Sequence, residues 1–385
     1  MLKIDDKNHK VVGIIMECNP FHNGHKRLIR SAKQYGDIVV AIMSGNYVQR
    51  GEPAIYDKYK RTKQLLSHGV DLVIELPLIY TLSSANLFAF GAVSILDELK
   101  FIDYLIFGSK IADISKLTEI ANLDIDDNIE IKTLLKDGNS YPIALSKAIN
   151  KKLSGNDILG VEYIRAISKL HSKIIPITIK RKSDLKTATE LRKNISKKIT
   201  CDSFSDILNY KLLQYRINSN LELNDIYLLN SDVKNSILNT LNSNLSFTKS
   251  AKKLNTKNRT LANIKRIFFN IIFDIQKKDI YKVSDKAKAS ITKLDNKSFF
   301  IRILGVKKSS AHILKHIKIP YLTGYTISAY KTFISKYKSS KVIKCNKKGE
   351  YIPSPLLKKY IFADDLYYLL SGNKTNESLF KFTTI

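Results

Sequence analysis

Cysteine is scarce, with three residues, Cys18, Cys201 and Cys345, in a chain of 385. An odd number at wide spacing argues against a disulfide framework and fits a reducing compartment, so a cytoplasmic protein is expected. Long apolar runs are missing too. Stretches such as Leu72 to Leu78 fall far short of a membrane span and contain Glu75 and Pro77. The opening residues, MLKIDDKNHK, lack the apolar core of a signal peptide. No membrane partner is therefore expected. No internal repeat or long low-complexity tract is evident. Acidic residues are few: 35 Asp+Glu face 64 Lys+Arg, a net charge of +29.

The excess is uneven. Residues 1–200 hold 31 basic against 22 acidic side chains, residues 201–385 hold 33 against 13, and residues 251–348 hold 25 against 4. A surface so basic repels itself unless a polyanion neutralises it, and nucleic acid is the natural candidate. A composition bias toward lysine would charge both halves similarly, so the asymmetry points to nucleic acid binding by the second half.

With 385 residues, 44% of them hydrophobic, the chain can build two or three cores. Up to about residue 200, strand and helix patterns alternate. Val11–Glu17, Asp37–Ser44, Asp71–Leu76, Tyr104–Phe107 and Ile174–Lys180 read as buried strands. Gly24–Gln34, Lys58–Ser67, Ala85–Leu99 and Asp157–Leu170 read as helices between them. Such alternation predicts an α/β fold with a Rossmann-like parallel sheet. Ligands of such sheets bind beyond the carboxyl ends of the strands.

After a boundary near Lys198–Ser205, helical periodicity takes over. Ile264, Ile267, Phe268, Ile271, Ile272 and Ile275 form one apolar face, with Lys265, Arg266, Lys277 and Lys278 off it as candidate RNA contacts. Residues 201–385 are therefore expected to form a mainly helical basic unit. The segment Arg302–Lys308, followed by Ala311–Lys318, reads either as a glycine turn gripping a nucleic-acid backbone with Lys307 and Lys308, or as an ordinary helix–turn–helix connection.

The chemistry concentrates at Met16–His25. Val11 to Ile15 lead into Asn19-Pro20-Phe21-His22-Asn23-Gly24-His25, and the amphipathic run Lys26 to Gln34 follows. This is strand, tight loop and helix. A helix N-terminus offers unpaired N–H groups and partial positive charge, which suit phosphate. Gly24 lets a phosphate approach, and His22 and His25 can both point at it. Zinc is a weaker reading, because a zinc site needs three or four protein ligands. Loop histidines with a purely structural role are the third reading. Cys18 has no base marked beside it, which disfavours it as a nucleophile.

The H-x-G-H element on this scaffold is similar to that of the nucleotidyltransferase superfamily with the H-I-G-H signature. The runs G-I-I-M-E-C-N-P-F-H-N-G-H, M-S-G-N-Y-V-Q-R-G-E-P-A-I-Y-D-K, G-V-D-L-V-I-E-L-P and N-D-I-L-G-V-E-Y-I-R-A together resemble the bacterial tRNA(Met) cytidine acetate ligase family. These motifs span about residues 13–192; the helical half resembles the family only loosely.

The resemblance implies an ATP-dependent ligase, with acetyl-adenylate as intermediate and acetyl transfer to N4 of the wobble cytidine of elongator tRNA(Met). It implies an ATP-binding segment of Ile14, Ile15, Met16, Glu17, Cys18, Asn19, Pro20, Phe21, His22, Asn23, Gly24, His25, Lys26 and Arg27. It adds Gly108, Asn156, Arg181 and Lys182 as further ATP contacts. Cys18 departs from the tyrosine the family pattern leads one to expect. Asn156 could instead be a plain helix cap. Mg²⁺ is expected to accompany ATP. Ser44, Asn46 and Arg50 are candidates for holding acetate or cytidine, and Thr189 and Arg192 stand before and within the last helix of this half. Arg50 could pair with a carboxylate substrate or with Asp57 or Glu52. Two other functions fit the residues less well: a nucleotidyltransferase of cofactor synthesis, and a non-catalytic RNA-binding protein regulated by a nucleotide.

Overall fold

The computed structural model describes residues 2–4, 7–123, 128–181, 188–193, 195–196, 198–218, 222–239, 245–280, 299–372 and 383–384. Its centre is one sheet. Strands β1 (Val11–Met16), β2 (Ile38–Ser44), β3 (Leu72–Leu76), β4 (Tyr104–Ser109) and β5 (Ile175–Lys180) run parallel in the order β3-β2-β1-β4-β5. Every residue of β1 and β2 is buried, which is why both read as unbroken apolar runs rather than alternating ones. The chain leaves β1 toward β2 on one side and returns to β4 on the other. The switch point therefore lies between β1 and β4.

Helix α1 (Asn23–Tyr35) buries Leu28, Ile29 and Ala32 at helical spacing. It stops at Gly36, where a Cβ would lie 2.6 Å from the Lys10 carbonyl oxygen. Helix α2 (Lys58–Ser67) starts at Asp57, whose carboxylate accepts from Tyr59 and Lys60 N–H, each at 2.9 Å. Helices α3 (Ala85–Glu98) and α4 (Gly155–Lys169) pack against each other.

The second half does more than form helices. Ile301–Val306 is not the helix–turn expected around Gly305; it is a fully buried strand, β6, antiparallel to β3. Gly305 sits at an irregularity in that pairing. Strand β7 (Tyr321–Leu322) and the short β8 (Thr383–Thr384) both pair in parallel with β6. Lys307 caps a 3-10 helix, Lys308–His316.

Helix α5 (Leu261–Ile272) carries the predicted apolar face, and its other side is covered too. Lys265 and Arg266 are 8% and 7% exposed, so these two expected RNA contacts are buried in the fold and do not stand on its surface. Lys265 Nζ pairs with Glu52 at 2.6 Å, and Arg266 Nη1 donates to the Gln49 carbonyl at 2.9 Å. Gly51 permits this packing: its φ is +67°, and a Cβ there would lie 2.7 Å from the Arg266 backbone nitrogen. Lys277 and Lys278 are exposed.

Helix α6 (Pro355–Leu370) closes the molecule over the far end of β3. Fully buried Lys58 bridges Glu75, at 3.0 and 3.1 Å, and Asp364, at 2.5 Å. Arg302 lies 3.4 Å from the same Asp364 carboxylate. Two cations thus meet two carboxylates, and the four side chains come from α2, β3, β6 and α6. No described helix is long and apolar enough to cross a membrane.

Candidate nucleotide site

The loop after β1 leads into the N-terminus of α1, and two histidines build that terminus. His22 is the N-cap, and its Nδ1 accepts from Gly24 N–H at 3.0 Å. His25 Nδ1 accepts in return from His22 N–H at 3.2 Å. The pair is a reciprocal capping box made of imidazoles. Their rings stack with centroids 3.9 Å apart, and Phe21 stacks on the far side of His25 at 5.7 Å.

This geometry fixes protonation. A nitrogen that accepts an N–H carries no proton, so in each neutral ring the proton sits on Nε2. Burial lowers the pKa of His22, and the charges of Arg181 and Arg192 lower it further. Burial pushes His25 well below the ordinary value, with His22 and Arg181 adding to the effect. At neutral pH both rings are therefore uncharged and present Nε2–H as a donor. A Cβ on residue 24 would lie 2.8 Å from the His22 ring, so any side chain there would push the capping ring aside.

The rest of the loop is held from several directions. Ile14, Ile15 and Met16 belong to buried β1. Glu17 accepts from Ser44 Oγ at 3.0 Å and from Gln49 N–H at 2.7 Å. Burial raises its pKa, opposed by those two bonds and by Arg61 and Arg50. Cys18 is buried with φ +52°, and burial pushes its thiol up to about 12, which disfavours it as a nucleophile. The Asn19–Pro20 peptide is cis. Asn19 Oδ1 accepts from Ile55 N–H at 2.8 Å, and the Asn19 carbonyl accepts from Arg192 Nη1 at 2.8 Å. Asn23, Lys26 and Arg27 lie in the first turns of α1.

Across the switch point, Gly108 lies at the end of β4, where a Cβ would touch the Arg181 side chain at 3.2 Å. Arg181 directly follows β5. The cap of α4 is Ser154, paired with Asp157, and not Asn156. Asn156, freed from capping, accepts from Arg181 Nε at 3.3 Å with its amide oxygen turned that way. Gly108, Asn156 and Arg181 therefore come together beside the histidines. Lys182 falls outside the described residues, and Thr189 lies in the helix Ala188–Lys193.

Two of the predicted substrate residues serve the scaffold. Ser44 holds Glu17, while Asn46 is buried, donating to Asp364 at 2.8 Å and accepting from Lys58 N–H at 2.9 Å. Arg50 is exposed, because Asp57 caps α2 and Glu52 pairs with Lys265. Two important residues were missed. Arg61 is fully buried and donates to the carbonyls of Glu17, Ser44, Gly45 and Tyr56. Asp157 accepts from Ser109 Oγ at 2.7 Å and Lys110 N–H at 2.8 Å, shaping the loop after Gly108. Asp157 lies inside the N-D-I-L-G motif, which was the available signal for it, whereas Arg61 stands three residues beyond the motif that ends at Lys58.

A parallel α/β sheet with an H-x-G-H turn at its switch point defines a nucleotidyltransferase-type protein. In agreement, the family model described as HIGH Nucleotidyl Transferase matches residues 9–199 and 184–379. The tRNA(Met) cytidine acetate ligase of Thermoanaerobacter sp. (strain X514) is 32% identical, covering 95% of this chain and 96% of the relative. That of Caldicellulosiruptor bescii is 35% identical over 82% of this chain and 87% of its own. A crystal structure of Thermotoga maritima TmcAL bound with alpha-thio ATP shares the fold at a TM-score of 0.78 and 24% identity, covering 98% of this chain and 99% of that one. The chain belongs to the tRNA(Met) cytidine acetate ligase family, and it is an enzyme of the ligase class.

Proposed function

We propose that this protein joins acetate to N4 of the wobble cytidine of elongator tRNA(Met) at the expense of ATP. The observation that carries the reading is the pair of neutral imidazoles whose Nε2–H groups are left free by their own capping box. An acetate oxygen attacks the α-phosphorus of ATP; the bond to the β-phosphate bridging oxygen breaks and pyrophosphate leaves. Negative charge on the phosphate oxygens is then met by donors already oriented, at no reorganisation cost. Neutral donors suit this step, since they release pyrophosphate more readily than a fixed ion pair.

The cytidine amine next attacks the acetyl carbonyl carbon. The mixed anhydride C–O bond breaks, AMP leaves, and the amine loses a proton. Arg181, Asn156 and Gly108 face the nucleotide, while Arg192 and Arg50 supply positive charge for the acetate carboxylate. Lys182 and Thr189 belong to the same reading. Residues 1–200 carry adenylation and residues 201–385 carry RNA contacts, including Lys277, Lys278, Lys307 and Lys308. Magnesium would enter on the triphosphate, whose oxygens supply most of its ligands.

The test is incubation with ATP, labelled acetate and bulk tRNA. Label is expected in RNA as N4-acetylcytidine. Adenylylated small molecules without labelled RNA would overturn the reading.

A further inference from the structure

The basic charge of the second half peaks after β6. Between Lys307 and Gly349 there are eleven lysines and no acidic residue. A groove runs through this stretch between β7 and the helix Ile327–Lys336. Tyr321 and Tyr337 form its aromatic walls, with ring centroids 6.2 Å apart at 66°. The Lys336 ammonium lies over both rings, 4.5 and 5.3 Å from their centroids. Thr323, Thr326 and Thr332 line the remainder. Lys336 lines the groove, and Lys331, Lys338 and Lys341 are exposed in the same stretch of chain.

We propose that this groove binds an unpaired stretch of RNA, with bases on the tyrosine faces and phosphates on the lysines. Aromatic rings stack with any base, and lysines neutralise the backbone; the two together define single-strand binding sites. A ring pair bridged by an ammonium is a site a base can enter, displacing the lysine toward a phosphate. An acidic protein would use the charge but not the aromatic faces.

Position supports the same partner. Tyr321 pairs with Ile301, and neighbouring Arg302 pairs with Glu75 at the carboxyl end of β3. The groove thus lies along the sheet edge that carries His22 and His25. Strand β7 is four places from β1 in the sheet, about 19 Å at the usual strand spacing. That is about six stacked nucleotides. One RNA loop can fill the groove and still present a base to the nucleotide site. The identity of the RNA rests on the ligase reading; the groove's preference for single-stranded RNA does not.

The experiment uses the full chain, a labelled single-stranded oligoribonucleotide and a tRNA(Met) transcript. The double variant Lys331→Glu/Lys336→Glu should bind both at least tenfold more weakly, with a salt slope flatter by about 0.7 per lost phosphate contact. Tyr321→Ala should lose about 5- to 150-fold, the range for one stacked base, while Tyr321→Phe stays within about twofold of wild type. Acetate-dependent pyrophosphate exchange without RNA should be unchanged in all three. Unchanged RNA affinity in the charge-reversed and alanine variants would overturn the proposal, as would binding of polyglutamate but no RNA. If wild type lacks acetate-dependent exchange while RNA binding falls as stated, the ligase reading fails and the groove stands. If wild type acetylates tRNA and the groove variants bind RNA normally, the groove alone fails.

Discussion

Replacing His25 separates the two tasks that its ring performs. His25→Ala removes the acceptor for His22 N–H, at 3.2 Å, and the stacking partner 3.9 Å from the His22 ring. Loss of a cap costs about 0.5–2 kcal/mol of stability. The same substitution deletes one Nε2–H donor, and loss of one preorganised transition-state donor costs about 2.7–4 kcal/mol, or about 100- to 1000-fold in rate. His25→Gln is the discriminating control, because glutamine at the third helical position is the usual capping-box partner. Stability measured by urea unfolding should return to within about 0.5 kcal/mol of wild type, the ordinary scatter for a neutral change. Acetate-dependent ATP–pyrophosphate exchange should remain depressed. Recovery of both stability and rate in His25→Gln would mean that the imidazole only caps the helix, and the reasoning would be refuted.

Asp364→Ala should destabilise the protein by about 3–5 kcal/mol in urea unfolding, since it strips a partner from fully buried Lys58; a change under about 1 kcal/mol would show the bridge to be dispensable. Iodoacetamide should label exposed Cys345 and spare Cys18, which is buried and pushed up to about 12, without loss of exchange activity; rapid labelling at Cys18 would contradict its burial. Both imidazoles should titrate below the ordinary 6.5 in the nucleotide-free protein. The unfolded chain then binds more protons than the folded one as pH falls through 6.5, so the histidines' contribution to stability is full above that pH and is lost below it. NMR titration of ring nitrogens checks this, and a midpoint above 6.5 for either ring would contradict the burial that keeps both rings uncharged at neutral pH.

The part of the fold that was legible is the part whose signal is local. Runs such as Val11–Ile15 and Ile38–Met43 announce strands because both sheet faces are covered, so each residue must be apolar. The site was legible for the same reason: loop, glycine and helix start are contiguous in the chain. Strand β6 was not, because Gly305 and the following lysines look like a turn, and its partner β3 lies more than 200 residues earlier. Lys265 and Arg266 were misplaced because a helical wheel reveals one buried face and not a second. The hairpin that covers them, Tyr47–Val48 paired antiparallel with Glu52–Pro53 and turning through Gly51, comes from far upstream. Ser44 and Asn46 look like site residues by sequence, being polar at the end of a strand. Only the fold shows that Glu17 and Asp364 already occupy them.

The most direct measurement is a crystal structure of the full chain with a non-hydrolysable ATP analogue. Both Nε2 atoms should lie within about 3.2 Å of phosphate oxygens, as hydrogen bonds require, with each Nδ1 still accepting from the backbone. A triphosphate bound elsewhere, or rings turned so that Nδ1 faces the phosphates, would contradict the account.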